Sequence, residues 1–102
     1  MSKKILQLEF TLTVPLSEVA PMFEQAAKAI SDVRGLAWKI WLSDETQRKG
    51  GGIYLFDDDA SRQAYLGGPI VGQLRALPGV KDIVARQFDV VDDLSLVTRG
   101  PV

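Results

Sequence analysis

Between Leu36 and Leu42 the chain reads Leu-Ala-Trp-Lys-Ile-Trp-Leu, a short run of aromatic, β-branched and aliphatic residues that suits a strand better than a helix. Alternation puts Leu36, Trp38, Ile40 and Leu42 on one face and Ala37 and Trp41 on the other. A strand with an indole on each face has to be covered on both sides. A single sheet with one wet face is thereby ruled out, and the remaining segments have to supply the cover.

They supply one layer. Leu6, Leu8, Phe10 and Leu12 alternate with Gln7, Glu9 and Thr11, which predicts a first strand over Ile5 to Leu12, ended by Pro15. Val19, Met22, Phe23, Ala26, Ala27 and Ile30 recur at three- and four-residue spacing and predict a helix from about Glu18 to Asp32, with Ser17 as its N-cap. Gly35 closes the connection to the tryptophan strand. Polar Ser43 to Lys49 reads as a hairpin loop and Gly50 to Phe56 as a third strand paired with the second.

Asp57, Asp58 and Asp59 cap a second helix that carries Ala60, Ala64, Tyr65 and Leu66. Gly67-Gly68-Pro69 interrupts it, and Ile70, Val71, Leu74 and Leu77 resume helical spacing, so a kinked or two-part helix is expected. A last strand runs from Val80 or Asp82 to Val90. Residues 91–102 form a C-terminal tail with Leu94, Leu96 and Val97 to anchor it.

The order β-α-β-β-α-β defines a ferredoxin-like α+β domain, a four-stranded antiparallel sheet with both helices on one face. Its other face stays bare. With Trp41 expected there, a second copy packed sheet against sheet is the simplest cover, so the chain is expected to form a homodimer with Trp41 in the interface.

Composition narrows the function. The 102 residues fit one domain, residues 1–102. Twelve basic and 13 acidic residues nearly cancel and lie scattered, leaving no stripe to follow a phosphate backbone, so no nucleic acid is expected as partner. Gln7 and Glu9 break the first apolar run, and no segment approaches the roughly 20 apolar residues of a membrane span. A cytoplasmic protein with no membrane partner is expected.

Neither histidine nor cysteine occurs, which removes the usual ligands of zinc, copper and haem. Asp57-Asp58-Asp59 could hold a hard cation, but contiguous acids ahead of a helix serve as caps, and no metal is expected. Gly50-Gly51-Gly52 lacks the Lys-Ser/Thr ending of a phosphate loop and opens a strand rather than a helix. A bulge or close backbone approach explains it better. A Ser/His/Asp triad is excluded by composition.

Leu6-Gln7-Leu8, Gly35-Leu36-Ala37-Trp38-Lys39-Ile40-Trp41, Gly51-Gly52-Ile53-Tyr54-Leu55-Phe56, Ala64-Tyr65-Leu66 and Val84-Ala85-Arg86-Gln87-Phe88-Asp89-Val90 together resemble the YdhR family of the dimeric α+β barrel superfamily. The resemblance covers most of the chain. It implies a homodimer whose two sheets form a barrel, with a pocket in each subunit between helices and sheet. It further implies an activity like that of small cofactor-independent monooxygenases acting on polycyclic aromatic phenols. Fold does not fix function, so the chemistry has to be carried by residues.

The aromatic and cationic side chains remain as candidates. Cofactor-free oxygenation needs an apolar cavity, flat surfaces for a ring and a few polar groups that favour its anion. Tyr54 and Tyr65 can donate or relay a proton, and Arg86 can stabilise negative charge, so these three are the expected catalytic residues. Trp38, Phe10 and Lys39 are the expected substrate-binding residues. Each aromatic has a plain packing role open to it as well. Val84, Arg86, Phe88 and Val90 share one strand face, which points the Arg86 guanidinium into an apolar row toward the subunit's own pocket, with Glu9, Asp89 or an anionic ligand as its partner. None of these groups is an evident general base at neutral pH. The expected function is cofactor-independent oxygenation of a flat phenolic or quinone-like molecule, with a non-catalytic dimeric sensor or carrier as the alternative.

Overall fold

In the computed structural model, which describes residues 3–102, the alternating N-terminal segment forms β1 (Lys4–Leu12). It is followed by α1 (Leu16–Ser31), the hairpin β2 (Leu36–Asp44) and β3 (Lys49–Phe56), α2 (Asp59–Leu66), α3 (Pro69–Ala76), β4 (Val80–Asp89) and a short α4 (Asp92–Val97). The strands form one antiparallel sheet in the order β2-β3-β1-β4, the ferredoxin-like α+β arrangement. Among the described residues no helix is long and apolar enough to cross a membrane.

The break in the second helical region falls at Gly67-Gly68. Pro69 begins α3 at a position where its missing N–H needs no partner. Asp58 caps α2, its Oδ1 accepting the Ser61 N–H at 2.7 Å. The cap of α1 differs from expectation. The helix begins at Leu16 after Pro15, and Ser17 lies inside the first turn, where no side-chain cap bond forms.

Even-numbered residues of β1 face the helices. Leu6 and Leu8 join Tyr54, Phe56, Ile30, Tyr65 and Val71 in one buried cluster, while Phe10, Leu12 and Val19 form a second. Each large apolar side chain so buried contributes roughly 1.5–3 kcal/mol.

The face assignment of β2 is a correction. Leu36 pairs with Phe56 but Trp38 with Leu55, so Ala37 is the extra residue of a β-bulge. One inserted residue inverts everything that follows it. Leu36 stays on the helix face and packs on the core, Lys39 and Trp41 fall on that face too, and Trp38, Ile40 and Leu42 turn to the open face.

β4 is also inverted relative to expectation. Arg86 pairs with Gln7 and Phe88 with Ile5, residues of the open face, so Val84, Arg86 and Phe88 point away from the helices. The buried arginine is Arg62 on α2. Its Nη1 donates to the carbonyls of Ile5 (3.1 Å) and Phe88 (3.0 Å), and its Nη2 meets Asp59 Oδ1 at 2.7 Å.

The tail anchors differently as well. Leu94, Leu96 and Val97 are exposed, and the tail is held instead by Trp38, whose Nε1 donates to the Pro101 carbonyl at 2.9 Å. Beyond that contact the open face keeps an apolar surface, with Ile40 50%, Leu42 41%, Val84 40% and Phe88 52% exposed.

Candidate functional site

The helix face of the sheet lacks side chains where it matters. Across the strands, Trp41, Gly52, Leu8 and Ala85 form one row, and Ser43, Gly50 and Phe10 the next. The bare backbone of Gly52 leaves room under α1 and α3 for the Lys39 stem, and that of Gly50 for the Phe10 ring: a Cβ at Gly52 would come within 2.6 Å of Lys39 Cε, and one at Gly50 within 2.6 Å of the Phe10 ring. The glycine run is thus the close approach expected from sequence.

The resulting cavity measures about 310 Å³, within the range of small-molecule sites. Leu8, Gly51 and Gly52 floor it; Ala26 and Ile30 of α1 with Ile70 and Leu74 of α3 roof it. Phe10, Phe23 and Trp41 form the far wall, with ring centroids 5.8 Å apart for Phe10 and Phe23 and 5.7 Å for Phe23 and Trp41. A second, more open hollow of about 360 Å³ lies on the other side of that wall.

Polar groups enter this apolar space at few points: Lys39, Tyr54, Gln25 and Gln73. Lys39 Nζ lies 3.2 Å from the centre of the Trp41 ring and 4.6 Å from that of Tyr54. It makes no hydrogen bond or ion pair among the described residues. Burial lowers its amine from 10.5 to about 7, even though the indole face favours the charged form.

The Tyr65 hydroxyl, from α2, donates to the Tyr54 oxygen at 2.8 Å. Both phenols are raised above their ordinary value chiefly by burial, so they remain protonated donors at neutral pH. The two hydroxyls share one hydrogen bond, which leaves one of their two protons free.

Tyr54, Phe10 and Lys39 therefore meet at one cavity, and Tyr65 stands behind Tyr54 without lining it. Trp41, expected in a dimer interface, lines the cavity from the helix face of the sheet. Trp38, expected to bind substrate, sits on the opposite face under the tail. Arg86 is exposed on that open face and does not line the cavity. The tyrosine pair and Lys39 are the polar core of the site.

Sequence reasoning missed Phe23, Gln25 and Gln73, which are ordinary helix-face residues until α1 and α3 are docked. It also missed the stacking of Lys39 on Trp41, for which the signal was the Lys39-x-Trp41 spacing: two residues on one strand face, one a cation and the other the best π surface. The acidic run has local duties. Asp58 caps α2 and Asp59 pairs with Arg62, and both carboxyls are held below their usual range, by the Ser61 bonds and the Arg62 bond respectively.

A four-stranded antiparallel sheet with helices over one face, and a cavity of small-molecule size between the layers, defines the class: a ferredoxin-like α+β protein with an internal site. The chain belongs to the family described as "Putative mono-oxygenase ydhR", whose model matches residues 5–101. No protein of curated function matches the sequence.

Among solved structures it is similar to the NE2512 protein of unknown function from Nitrosomonas europaea, at 21% identity over 89% of this chain and 91% of that one, with a TM-score of 0.74. SnoaB, a cofactor-independent oxygenase from Streptomyces nogalater, superimposes with a TM-score of 0.72 at 15% identity, covering 88% and 94%. An antibiotic biosynthesis monooxygenase, so described as putative, from Deinococcus radiodurans gives 0.64 at 16% identity over 87% and 93%. At these identities the likeness is one of fold.

Proposed function

We propose that the protein is a cofactor-independent monooxygenase acting on a flat phenolic or quinone-like aromatic, and that it works as a homodimer. The observation that carries this reading is a mainly apolar cavity lined by the Lys39 amine and by Tyr54, with Gln25 and Gln73 as its other polar side chains. Phe10, Phe23 and Trp41 offer flat surfaces for the ring. Lys39 and Tyr54 hold the oxygen of its anion, and Tyr65 fixes Tyr54. The oxygenase described for the SnoaB fold and the family name support the same class of chemistry.

In this reaction the substrate itself reduces oxygen. Its anion gives one electron to O2, the resulting radicals join through a new C–O bond, and the hydroperoxide loses water to leave a quinone. One oxygen atom enters the product and the other leaves as water. No step needs a metal or flavin, consistent with a chain that has no histidine or cysteine to hold a soft or borderline metal. The protein's part is to exclude water, orient the ring and stabilise the anion.

The homodimer rests on the open face. Ile40, Leu42, Val84 and Phe88 form an apolar surface, and a face-to-face partner sheet would cover it.

Oxygen uptake with a panel of naphthols and hydroquinones, after exhaustive chelation, tests the activity. Consumption of about one O2 per quinone formed, with no hydrogen peroxide released, is expected from the atom balance above. Saturable binding with no oxygen uptake would make the protein a sensor or carrier instead.

A further inference from the structure

Lys39 is placed unlike a solvated lysine. Its stem crosses the bare backbone of Gly52, and its Nζ stands over Trp41 and beside Tyr54 with no hydrogen-bond or ion-pair partner among the described residues. From β3 the titratable group facing it is Tyr54, with Tyr65 of α2 behind. From α1 and α3 come Gln25 and Gln73, which do not titrate. Glu24 lies beyond the aromatic wall, in the adjoining hollow. Among the described residues no carboxylate lines the cavity, and only the Trp41 and Tyr54 ring faces favour the charged amine.

The two polar groups are complementary. Tyr54 is kept protonated by burial and so brings a proton, whereas an amine at about 7 offers a lone pair in about half of the molecules at neutral pH. A ligand hydroxyl that reaches Nζ would meet an acceptor there, beside the Tyr54 ring.

We propose that Lys39 Nζ is the proton acceptor of the cavity, taking the hydroxyl proton of a weakly acidic phenol or enol and then holding the ligand as an anion. For its ligand class the proposal rests on the oxygenase reading. In the step an O–H bond breaks and an N–H bond forms; nothing is oxidised, and neutral amine plus neutral ligand become an ammonium–oxyanion pair. Against an amine at about 7 a phenol at about 10 holds its proton by roughly a thousandfold, so the transfer is driven by the attraction of the ammonium–oxyanion pair between apolar walls, with the Trp41 face stabilising the new ammonium. The site should therefore select for an ionisable hydroxyl, and the matching methyl ether should bind poorly.

The test is an anaerobic titration with 1-naphthol at about pH 8, where a free phenol near its ordinary value of about 10 is un-ionised and Lys39 is mostly neutral. Wild type is expected to give the naphtholate absorbance on binding. Calorimetry in two buffers of different ionisation enthalpy should show almost no net proton exchange, because the ligand's proton stays in the complex. Lys39→Arg, charged already, should also bind naphtholate but release about one proton per ligand to the buffer. Lys39→Met should bind the un-ionised naphthol at least about tenfold more weakly.

A wild-type complex with the spectrum of neutral naphthol, a Lys39→Met complex as ionised as wild type, or absence of naphthol binding would each overturn the proposal. Oxygen is then admitted. Ionised naphthol that consumes no oxygen leaves Lys39 as the acceptor and ends the oxygenase reading; turnover from a complex holding neutral naphthol does the reverse.

Discussion

Replacing Lys39 with Met should make the fold more stable, and by an amount that depends on pH. The fall of the amine from 10.5 to about 7 corresponds to roughly 5 kcal/mol between its charged and neutral forms. That is an upper figure, because the side chain is only half-buried and the Trp41 face returns about 0.5–2 kcal/mol to the ammonium. An expected gain of about 2–3 kcal/mol for the methionine variant follows, since methionine keeps the apolar stem without the charge.

The sign follows from proton counts. Between about 7 and 10.5 the unfolded chain carries the Lys39 proton and the folded one does not. Wild-type stability therefore rises with pH across that window, and the destabilisation is fully present below it. Urea unfolding of both proteins at fixed concentration should show the methionine variant ahead by about 2–3 kcal/mol near pH 6, with the gap nearly closed near pH 10 to 11. A variant less stable than wild type near pH 6, or a gap unchanged across that range, would refute the reasoning and mean that the amine is solvated.

Two other perturbations separate packing from assembly. Arg62→Met removes the bonds that tie α2 to β1 and β4 and should cost about 2 kcal/mol in urea unfolding; an unchanged midpoint would show that packing of its stem alone does that work. Phe88→Glu combined with Ile40→Glu puts like charges into the proposed sheet-to-sheet interface and should leave a folded monomer by sedimentation, whereas Trp41→Ala should leave the dimer intact. A wild-type protein that sediments as a monomer at micromolar concentration would end the dimer proposal.

The element order was readable because it depends on periodicity and punctuation. Alternation in β1, the three-and-four spacing of α1 and the Gly67-Gly68-Pro69 break all act locally, and each appears in the fold as a strand, a helix or an interruption. Facing was harder. Within β2 the period-2 pattern is the same with or without a bulge at Ala37, and nothing in Leu-Ala-Trp-Lys-Ile-Trp-Leu marks where the extra residue sits. That one residue exchanged the two tryptophans, sending Trp41 to the cavity and Trp38 to the tail. The same ambiguity misled the reading of β4, where Val84, Arg86 and Phe88 look like a core-facing row but belong to the exposed face.

The bulge also links the fold's irregularity to its chemistry. Without it, Leu36 at its present position on the helix face would bring Trp38, Ile40 and Leu42 to that face as well, and Lys39 would point to the open side, where its amine would be solvated. With it, Lys39 lies in the row of Tyr54 and Leu6, next to the row in which Gly52 leaves space for its stem. A lysine in that row destabilises the folded state, and a glycine beside it gives up packing that a larger residue would provide. The glycine is required by the Lys39 stem that crosses it, so the concession left to explain is the lysine, and the proposed ligand, with a hydroxyl for the amine to hold, would explain it.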